Sequence, residues 1–482
     1  MTSDTKKAIV SFYGGVGSVT GSNFMLARTN SAEQNLRGRE GDGTRILIDC
    51  GLIQGEKFAH DLNREPFAYD PVSVDYLLIT HAHIDHVGRI PKLVRDGFKG
   101  KILSTPETLD LARLMLPDAF SVLRMETPEG AELLYDEQDI EEAFSLWETV
   151  PYHERKQVGE FEIFLKDSGH ILGSAMVELS LRGSTSKSSE RLNLSPRKIV
   201  FTGDLGSYPT PLLKQAEDIT DATYLVMESV YGDRDHEGGE MRKKRLEEVI
   251  RDTIQRKGVL LIPCFSLEKT QVLLSEMDEL FEDKRLFNIP VFLDSPLAIK
   301  VTDVYRQYAD TLNPEAQKRL AGGDDLFSFK NLRLTMDARM SSEIERTPSP
   351  KIIIAGSGMS AGGRILDHER RYLGDHKNTI LFIGYQAIGG LGRQIQERVK
   401  HLRIEQTDVT VRARIETITG YSSHMDSDHL LAFAEKDAGA AEKIFVVMGE
   451  PKASLFLAQR IQDYNGNETY VPVAGESVEI EL

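Results

Sequence analysis

The chain has few cysteines and no long apolar run, and each shortage excludes a class of protein. Only two of its 482 residues, Cys50 and Cys264, are cysteine, so a disulfide framework cannot hold the fold together. No apolar stretch approaches the roughly 18 residues that a membrane-spanning helix needs. The first residues, "MTSDTKKAIVSFYGG", lead directly into a strand-like pattern without the apolar segment of a signal peptide. We therefore expect a cytoplasmic protein without a membrane segment.

Basic residues are also in deficit. The 58 lysines and arginines face 75 acidic residues, and the net charge of −17 argues against non-specific coating of nucleic acid. A local basic groove could still bind a polyanion, so the net charge does not settle the substrate. At about 150 residues per domain, the length predicts two to three domains.

Two patterns of secondary structure divide the chain. Strand-like runs lie at 7–50 and 74–80 and again after a helical region at 106–147. From about 233 to 422, strands alternate with helices, which is the pattern of a parallel sheet with helical crossovers. A polar insert at 29–43 is predicted to be an exposed loop or hairpin tip, and a second polar insert at 182–197 interrupts the later strands.

Histidine is scarce, with 12 in the chain, yet three of these residues lie in one window of six. The segment "THAHIDHVG" carries His81, His83, Asp85 and His86 directly after a short apolar strand. Residues two apart on an extended segment point to the same side, so His81 and His83 can bind one metal ion. Asp85 and His86 follow in a turn and can face a second. Imidazole and carboxylate ligands suit zinc or a similar divalent ion. The alternative interpretation of this segment is a polar loop that contains several histidines by chance.

Two further candidates stand at the ends of later strands. His170 lies in "DSGHILGS" and Asp204 in "VFTGDLG". Alone, each would more readily be a structural residue. Together with the histidine cluster they complete a candidate site for two metal ions.

The motif "THAHIDH" with His170 and Asp204 resembles the HxHxDH…H…D signature of the metallo-β-lactamase superfamily. The resemblance implies an α/β fold, the αββα sandwich of that superfamily. Asp49 in "LIDCG" matches a strand-end aspartate that orients the ligands from behind. Without the resemblance, Asp49 could equally be a turn former.

Later segments resemble the β-CASP branch, the nucleases of RNA processing and DNA repair. In order these are "MESVYGDRDH", "IPCFSLEKTQ", "FLDSPLA", "AGSGMSAGGR", "FIGYQAIGGLGR" and "GYSSHMD". Within this branch, the sequence most resembles RNA-cleaving members such as the nuclease subunit of the mRNA 3′-end cleavage factor and its prokaryotic relatives. It implies a metallo-β-lactamase domain over 1–232 and 423–482, interrupted by a parallel-sheet β-CASP domain over 233–422. RNA would enter between the two domains.

The resemblance also implies roles for single residues. Glu228 would pair with His424, which would protonate the leaving oxygen or bind the scissile phosphate. Two adjacent metal ions would lower the pKa of a water toward ~7 and clamp the phosphoryl oxygens. One ion would lie on His81, His83 and His170, the other on Asp85 and His86, with Asp204 shared. The candidate catalytic residues are Asp204, His424, Glu228 and Asp49.

Candidate contacts to the RNA backbone lie in the inserted domain. The segment "GSGMSAGGR" before a predicted helix offers backbone N–H groups and a guanidinium to a phosphate. A plain glycine-rich helix start is the alternative. The predicted contacts are Ser357, Gly358, Gly362, Gly363, Arg364, Arg393 and Lys269, the last where relatives more often have arginine.

One position departs from the family pattern. The strand "IFVVMGEP" places Met448 where a metal-binding histidine is expected. A thioether is a poor ligand for zinc beside carboxylates and imidazoles, so we expect the second metal ion to bind weakly. DNA-acting members also lack this histidine, which leaves a DNA nuclease as one alternative. Glu228 argues for RNA, because the DNA branch favours aspartate there.

The sequence thus predicts a metal-dependent ribonuclease that acts on single-stranded RNA in processing or decay, with two zinc ions as cofactors. A non-catalytic RNA-binding subunit of a processing complex is a second alternative. A small-molecule hydrolase is disfavoured. A homodimer is left open, as is the choice between endonuclease and exonuclease action.

Overall fold

The computed structural model describes most of the chain, which divides into two compact units. The described residues are 7–28, 43–55, 59–181, 197–283, 289–387, 389–436 and 441–482. The first unit comprises Met1–Ser207, Gln215–Asp235 and His424–Leu482, and the second comprises Tyr208–Lys214 and His236–Ser423. Among the described helices, none is both long and apolar enough to cross a membrane.

The second unit also includes one short segment from the earlier part of the chain. Tyr208–Lys214 belongs to the second unit, where Asn313 anchors it. The Asn313 amide donates to the carbonyl oxygens of Thr210 and Leu213 at 3.1 and 3.3 Å. The two polar inserts, 29–43 and 182–197, lie almost wholly outside the described residues.

Two seven-stranded sheets form the first unit. The first sheet contains β1 (Lys7–Gly14), β2 (Asn23–Arg28), β3 (Arg45–Ile48), β4 (Tyr76–Leu78), β5 (Lys101–Ser104), β6 (Trp147–Thr149) and β22 (Glu476–Glu481). Its spatial order is β22-β1-β2-β3-β4-β5-β6, and β3 to β6 run parallel. The second sheet contains β7 (Arg155–Val158), β8 (Phe161–Asp167), β9 (Ala175–Leu181), β10 (Lys198–Phe201), β11 (Tyr224–Glu228), β20 (Lys443–Val447) and β21 (Glu468–Tyr470). Its order is β21-β20-β11-β10-β9-β8-β7, with β10, β11, β20 and β21 parallel.

The two sheets face each other across one apolar core. Phe12 of β1, Ile163 of β8 and Phe445 of β20 belong to the same buried cluster. Because side chains alternate along a strand, Leu47 and Leu77 point to the opposite face of the first sheet. They are nevertheless fully buried, so that face is covered too. This arrangement confirms the predicted sandwich with helices outside both sheets.

Helices of the first unit account for this cover. They span Ala59–Arg64, Ile84–Val87, Ile90–Arg95, Pro106–Glu126, Glu137–Ser145, Ser427–Lys436 and Pro451–Asn465, with a 3₁₀ turn at Pro71–Ser73. The predicted helical region 106–147 contains two of them. The second begins where the Asp136 side chain accepts from the N–H groups of Gln138 and Asp139 at 2.9 and 3.2 Å.

The second unit is built on a six-stranded parallel sheet, as the alternation of strands and helices predicts. Its spatial order is β14 (Leu332–Leu334), β13 (Val291–Asp294), β15 (Lys351–Ala355), β12 (Val259–Pro263), β16 (Thr379–Phe382) and β19 (Arg414–Thr417). An antiparallel hairpin, β17 (His401–Ile404) and β18 (Thr407–Thr410), precedes β19. The helices are Gly239–Gln255, Lys269–Glu282, Pro296–Gln307, Pro314–Ala321, Ala338–Arg346, Ile365–Tyr372 and Leu391–Gln396, with 3₁₀ turns at Ala309–Thr311 and Thr419–Tyr421.

Candidate metal centre

The candidate ligands lie where strands of the first unit end. Asp49 directly follows β3, His81 follows β4 by three residues, Asp204 follows β10 by three, and Glu228 is the last residue of β11. Because β3 is parallel to β4 and β10 is parallel to β11, each pair of carboxyl ends lies at one edge of its sheet. Loops at such an edge can bring polar side chains together above a closed core.

Three imidazoles and one carboxylate converge at the first group of ligands. His83 Nδ1 lies 3.0 Å from His81 Nε2 and 3.2 Å from His170 Nε2. Both Nε2 atoms lie 3.5 Å from Asp204 Oδ2. These four ligand atoms all lie within 4.8 Å of one another, which is the spacing of ligands around a single divalent ion.

A second group lies on the other oxygen of Asp204. His86 Nε2 is 3.5 Å from Asp204 Oδ1 and 3.9 Å from Asp85 Oδ2. His86 Nε2 and Asp204 Oδ1 are both buried, and neither has a hydrogen-bond partner among the described residues. Buried polar atoms left unpaired are costly, so these two fit a bound cation. The residues present therefore suit divalent metal ions.

Asp49 fixes the orientation of the ligands from behind. Its carboxylate accepts from the Thr80 N–H at 2.8 Å, the Thr80 hydroxyl at 2.9 Å and the Ser22 hydroxyl at 3.1 Å. His86 Nδ1 lies 2.7 Å from the same carboxylate, which leaves Nε2 to face Asp85 and Asp204. Thr80 and Ser22 were not predicted. The only signal for Thr80 is its place directly before His81.

Burial and neighbouring charges shift the pKa values of the candidate ligands. Burial lowers the pKa of His81 well below its usual range and keeps the imidazole neutral, the form that binds metal. Burial alone would raise the pKa of Asp204, but the neighbouring His86, His424 and His81 hold it well below its usual range. Burial raises the pKa of Asp85 to about 6, against the opposing effect of His86. The carboxylate shared by both groups is thus ionised at neutral pH.

Glu228 and His424 form the predicted pair beside the ligands. His424 Nδ1 lies 3.3 Å from Glu228 Oε1 and 3.8 Å from Asp204 Oδ2. Glu228 is fully buried and also accepts from the Leu205 N–H at 2.7 Å. The backbone of His424 pairs with Gly206, where a Cβ would lie 1.8 Å from the Gly169 carbonyl oxygen. Only glycine permits this close approach.

Met448 packs into the core of the sandwich. Its side chain is 2% exposed, and a Cβ on Gly15 would lie 2.4 Å from its sulfur. Its N–H donates to the Gly15 carbonyl oxygen at 2.6 Å, with φ at 48° in the left-handed region. It also lines a cavity of about 10 Å³ with Asp49 and Thr80, which is just enough for one water molecule.

The predicted substrate contacts all belong to the second unit. Arg393 pairs with Glu397 at 2.7 Å on an exposed helix face. The half-buried Lys269 places its ammonium 4.7 Å from the centre of the Phe265 ring. Ser357, Gly358, Gly362 and Gly363 lie in the loop between β15 and the next helix. Arg364 ends that loop and contacts Asp294, a residue that sequence reasoning did not single out.

Three domain families match the chain in order. Residues 40–185 match the metallo-beta-lactamase superfamily domain, and residues 270–395 match the Beta-Casp domain. Residues 408–472 match the Zn-dependent metallo-hydrolase RNA specificity domain.

Curated relatives match over most of their length. Ribonuclease TTHA0252 of Thermus thermophilus is 33% identical over 452 residues, covering 94% of this chain and 97% of that protein. Transcription termination factor FttA of Methanocaldococcus jannaschii is 30% identical over 453 residues, covering 91% of this chain and 68% of that protein. An RNase J-like protein of the same organism is 29% identical, covering 89% of this chain and 93% of that protein.

A solved structure shares the fold at low sequence identity. It is a protein of unknown function from Enterococcus faecalis V583, with a TM-score of 0.52 and 12% identity. The match covers 98% of this chain and 100% of that one. The order of the domain families and the length of the curated matches lead to one conclusion: this chain belongs to the β-CASP branch of the metallo-β-lactamase superfamily.

Proposed function

We propose that the protein is a metal-dependent ribonuclease that hydrolyses phosphodiester bonds of RNA in processing or decay. The observation that carries this proposal is the convergence of His81, His83, His170 and Asp204, with Asp85 and His86 on the second Asp204 oxygen. The match to an RNA specificity domain and the ribonuclease among the relatives support RNA as the substrate. Glu228 supports RNA over DNA, because the DNA-acting branch favours aspartate at this position.

The cofactors proposed are two divalent ions, most simply zinc. His81, His83 and His170 would hold the first, Asp85 and His86 the second, and Asp204 both. Bound there, the metal ions would supply a water of lowered pKa and neutralise charge on the phosphodiester. Met448 adds no ligand in this proposal, because its sulfur packs against Gly15.

The residues around the ligands have separate tasks. Asp49 holds the His86 ring so that Nε2 faces the metal position. Glu228 holds His424 by its Nδ1, which leaves Nε2 to donate a proton to the leaving oxygen of the RNA. This assignment gives His424 an acid role and Glu228 a positioning role.

Backbone amides of the second unit support a role in holding RNA phosphates. Within the described residues, the N–H groups of Gly358, Gly362 and Gly363 have no protein acceptor. They precede a helix, where backbone amides and the helix dipole favour an anion. Lys269, which has no acidic partner within 4 Å among the described residues, would add a positive charge. Ser357 and Arg393 complete the proposed set of RNA-phosphate contacts. A homodimer, which is a separate question, stays a prediction.

Nuclease activity is tested with labelled single-stranded RNA and matched DNA, with and without chelator. We expect the purified protein to cut RNA, and chelator to stop cleavage. Asp204→Asn should remove nearly all cleavage and keep the circular dichroism spectrum, because one strand-end carboxylate does not support the sandwich core. Asp218→Asn, which changes an exposed carboxylate, is the matched control and should be fully active.

Other results of the same assay identify the alternatives. Cleavage of DNA in preference to RNA would make the protein a DNA nuclease. RNA binding without cleavage would make it a non-catalytic subunit. Full cleavage by Asp204→Asn would contradict the proposed metal chemistry.

His424→Ala should slow cleavage without loss of metal. Removal of a general acid typically costs about 10²–10⁴-fold in rate. Metal content, measured by elemental analysis after dialysis, should equal that of the native protein. His429→Ala is the matched control, because this exposed histidine lies on the same segment and bonds Asp426. A parallel loss of metal in His424→Ala would make His424 a ligand instead.

Met448→His should restore the ligand that the family pattern contains. After dialysis, we expect about one metal ion per native chain and nearly two per Met448→His chain, by elemental analysis. Met448→Leu fills the same apolar space without a ligand atom and should stay near one. Two tightly held ions in the native protein would contradict the proposed weak second site.

RNA affinity should fall as the pH rises through about 8. Burial lowers the pKa of Lys269 to about 8, against the opposing effect of Cys264. The ammonium therefore loses its charge above that pH, and KM for RNA should rise there. Lys269→Arg should remove this rise, since arginine stays charged.

Glu268, next to Lys269, has a pKa in the same range and requires its own control in the pH experiment. Burial raises the pKa of Glu268 to about 8, and its carboxyl group bonds the Tyr305 hydroxyl. Glu268→Gln should therefore keep the rise in KM that belongs to Lys269. An unchanged pH profile in Lys269→Arg would show that Lys269 does not bind RNA.

A further inference from the structure

The loop that carries the proposed phosphate contacts is closed by its own backbone. It runs from Gly356 to Arg364, between β15 and the helix Ile365–Tyr372. The Ile365 N–H donates to the Gly356 carbonyl oxygen at 3.0 Å, and the Ser357 N–H donates to the Gly362 carbonyl oxygen at 3.1 Å. These bonds set the internal shape of the loop, but they do not set its direction relative to the sheet.

Arg364 is committed to the protein rather than to solvent. Its guanidinium donates to Asp294 Oδ1 at 2.6 Å and to the carbonyl oxygens of Thr335 and Met336 at 3.0 and 3.2 Å. A guanidinium with three protein acceptors has few donors left for a phosphate. The sequence predicts that Arg364 binds phosphate directly. Its contacts instead suit a role as a brace, that is, a residue that ties the loop to the rest of the unit.

Asp294 is the centre of this brace. It is the last residue of β13 and is fully buried. Oδ1 accepts from the Thr335 hydroxyl at 2.6 Å as well as from Arg364, and Oδ2 accepts from the Ser341 hydroxyl at 2.6 Å. His368 Nε2, one turn into the helix after the loop, lies 2.8 Å from Oδ2. Two of the four donors therefore come from the end of the loop and the helix behind it.

A buried carboxylate of this kind is weak evidence for stability alone. Desolvation of an ion pair offsets much of its attraction, and apolar residues of similar size often stabilise a core as well. Fixed donors on both oxygens do, however, set the direction of the groups that donate. Burial would raise the pKa of Asp294, but hydrogen bonds from His368, Ser341, Thr335 and Arg364 lower it. The carboxylate therefore stays ionised at neutral pH.

We infer that Asp294 is a positioning residue for RNA binding. Through Arg364 and His368 it holds the end of the loop and so contributes, without touching RNA, to the direction of the amides at Gly358, Gly362 and Gly363. The inference rests on the proposed function, because the ligand of those amides is the RNA phosphate.

Two substitutions separate the shape of the brace from its charge. Asp294→Ala removes all four acceptor contacts. Asp294→Asn can keep them, because its oxygen can face Arg364 and Thr335 while its NH₂ group donates to Ser341 and to His368 in the other tautomer. We expect Asp294→Ala to raise KM for RNA at least about 10-fold with kcat within about twofold, and Asp294→Asn to raise KM less than about threefold.

Asp278→Ala is the matched control for loss of a buried carboxyl group that pairs with an arginine in the same unit. Asp278 is 2% exposed and pairs with Arg319 at 2.6 Å, outside the loop. The Asp278→Ala variant should have a lower melting temperature, as Asp294→Ala should, but its KM for RNA should be unchanged. An equal rise of KM in both alanine variants, or a fall in kcat with unchanged KM in Asp294→Ala, would overturn the inference.

Hydrogen exchange of the loop amides tests the brace without RNA. Asp294→Ala should speed exchange of the hydrogen-bonded loop amides, at Ser357, Ser360 and Ala361, relative to both the native protein and Asp278→Ala. Unchanged exchange would overturn the inference even if the native protein cleaves RNA. If the native protein cleaves no RNA, the proposed function fails, and faster exchange would still show that Asp294 holds the loop but not that it serves RNA.

Discussion

The buried carboxylate of Asp204 is the constraint that the rest of the first unit serves. An isolated ion in an apolar interior is very costly, so a carboxylate at this depth requires positive charge or strong donors around both oxygens. His81 and His170 lie 3.5 Å from one oxygen, and His86 lies 3.5 Å from the other. These three residues arrive from two different sheets. The sandwich must therefore bring the edges of both sheets together before the centre can exist.

How much of the fold and of the candidate site could be predicted from sequence depends on whether the contacting residues lie close together or far apart in the chain. Four of the candidate ligands lie in one window of six residues and the others at strand ends, so local pattern was enough to propose them. The parallel sheet followed from the alternation of strands and helices, whereas the sandwich followed from the resemblance of the histidine motif to the metallo-β-lactamase signature. The contacts of Asp49 with Ser22 and of Asp294 with Arg364 join residues 27 and 70 positions apart. No local pattern reports such pairs, because they arise only when strands and loops pack.

Met448 stands where the family pattern predicts a histidine ligand, and it packs into the fold there. A histidine in the core would need partners for two ring nitrogens, whereas methionine fills an irregular apolar gap with a flexible side chain. The sulfur lies against Gly15, where any larger residue would collide with it. Met448 thus packs the end of β20, and the proposed second metal group consists of Asp85, His86 and Asp204. The first group does not include this residue.

The two units use the same physical device at their functional edges. In each, an aspartate at the carboxyl end of a parallel strand is buried and receives four hydrogen bonds, at Asp49 in one unit and at Asp294 in the other. Three of the four donors to Asp49 lie on the segment that carries the candidate ligands, and two of the four donors to Asp294 lie on the loop end and helix behind the proposed phosphate contacts. Such a carboxylate adds little net stability, because its desolvation offsets its hydrogen bonds. What it does provide is direction, since donors on both oxygens leave the attached segment one orientation. A site that must place ligands to within a fraction of an ångström needs this more than it needs a few kcal/mol.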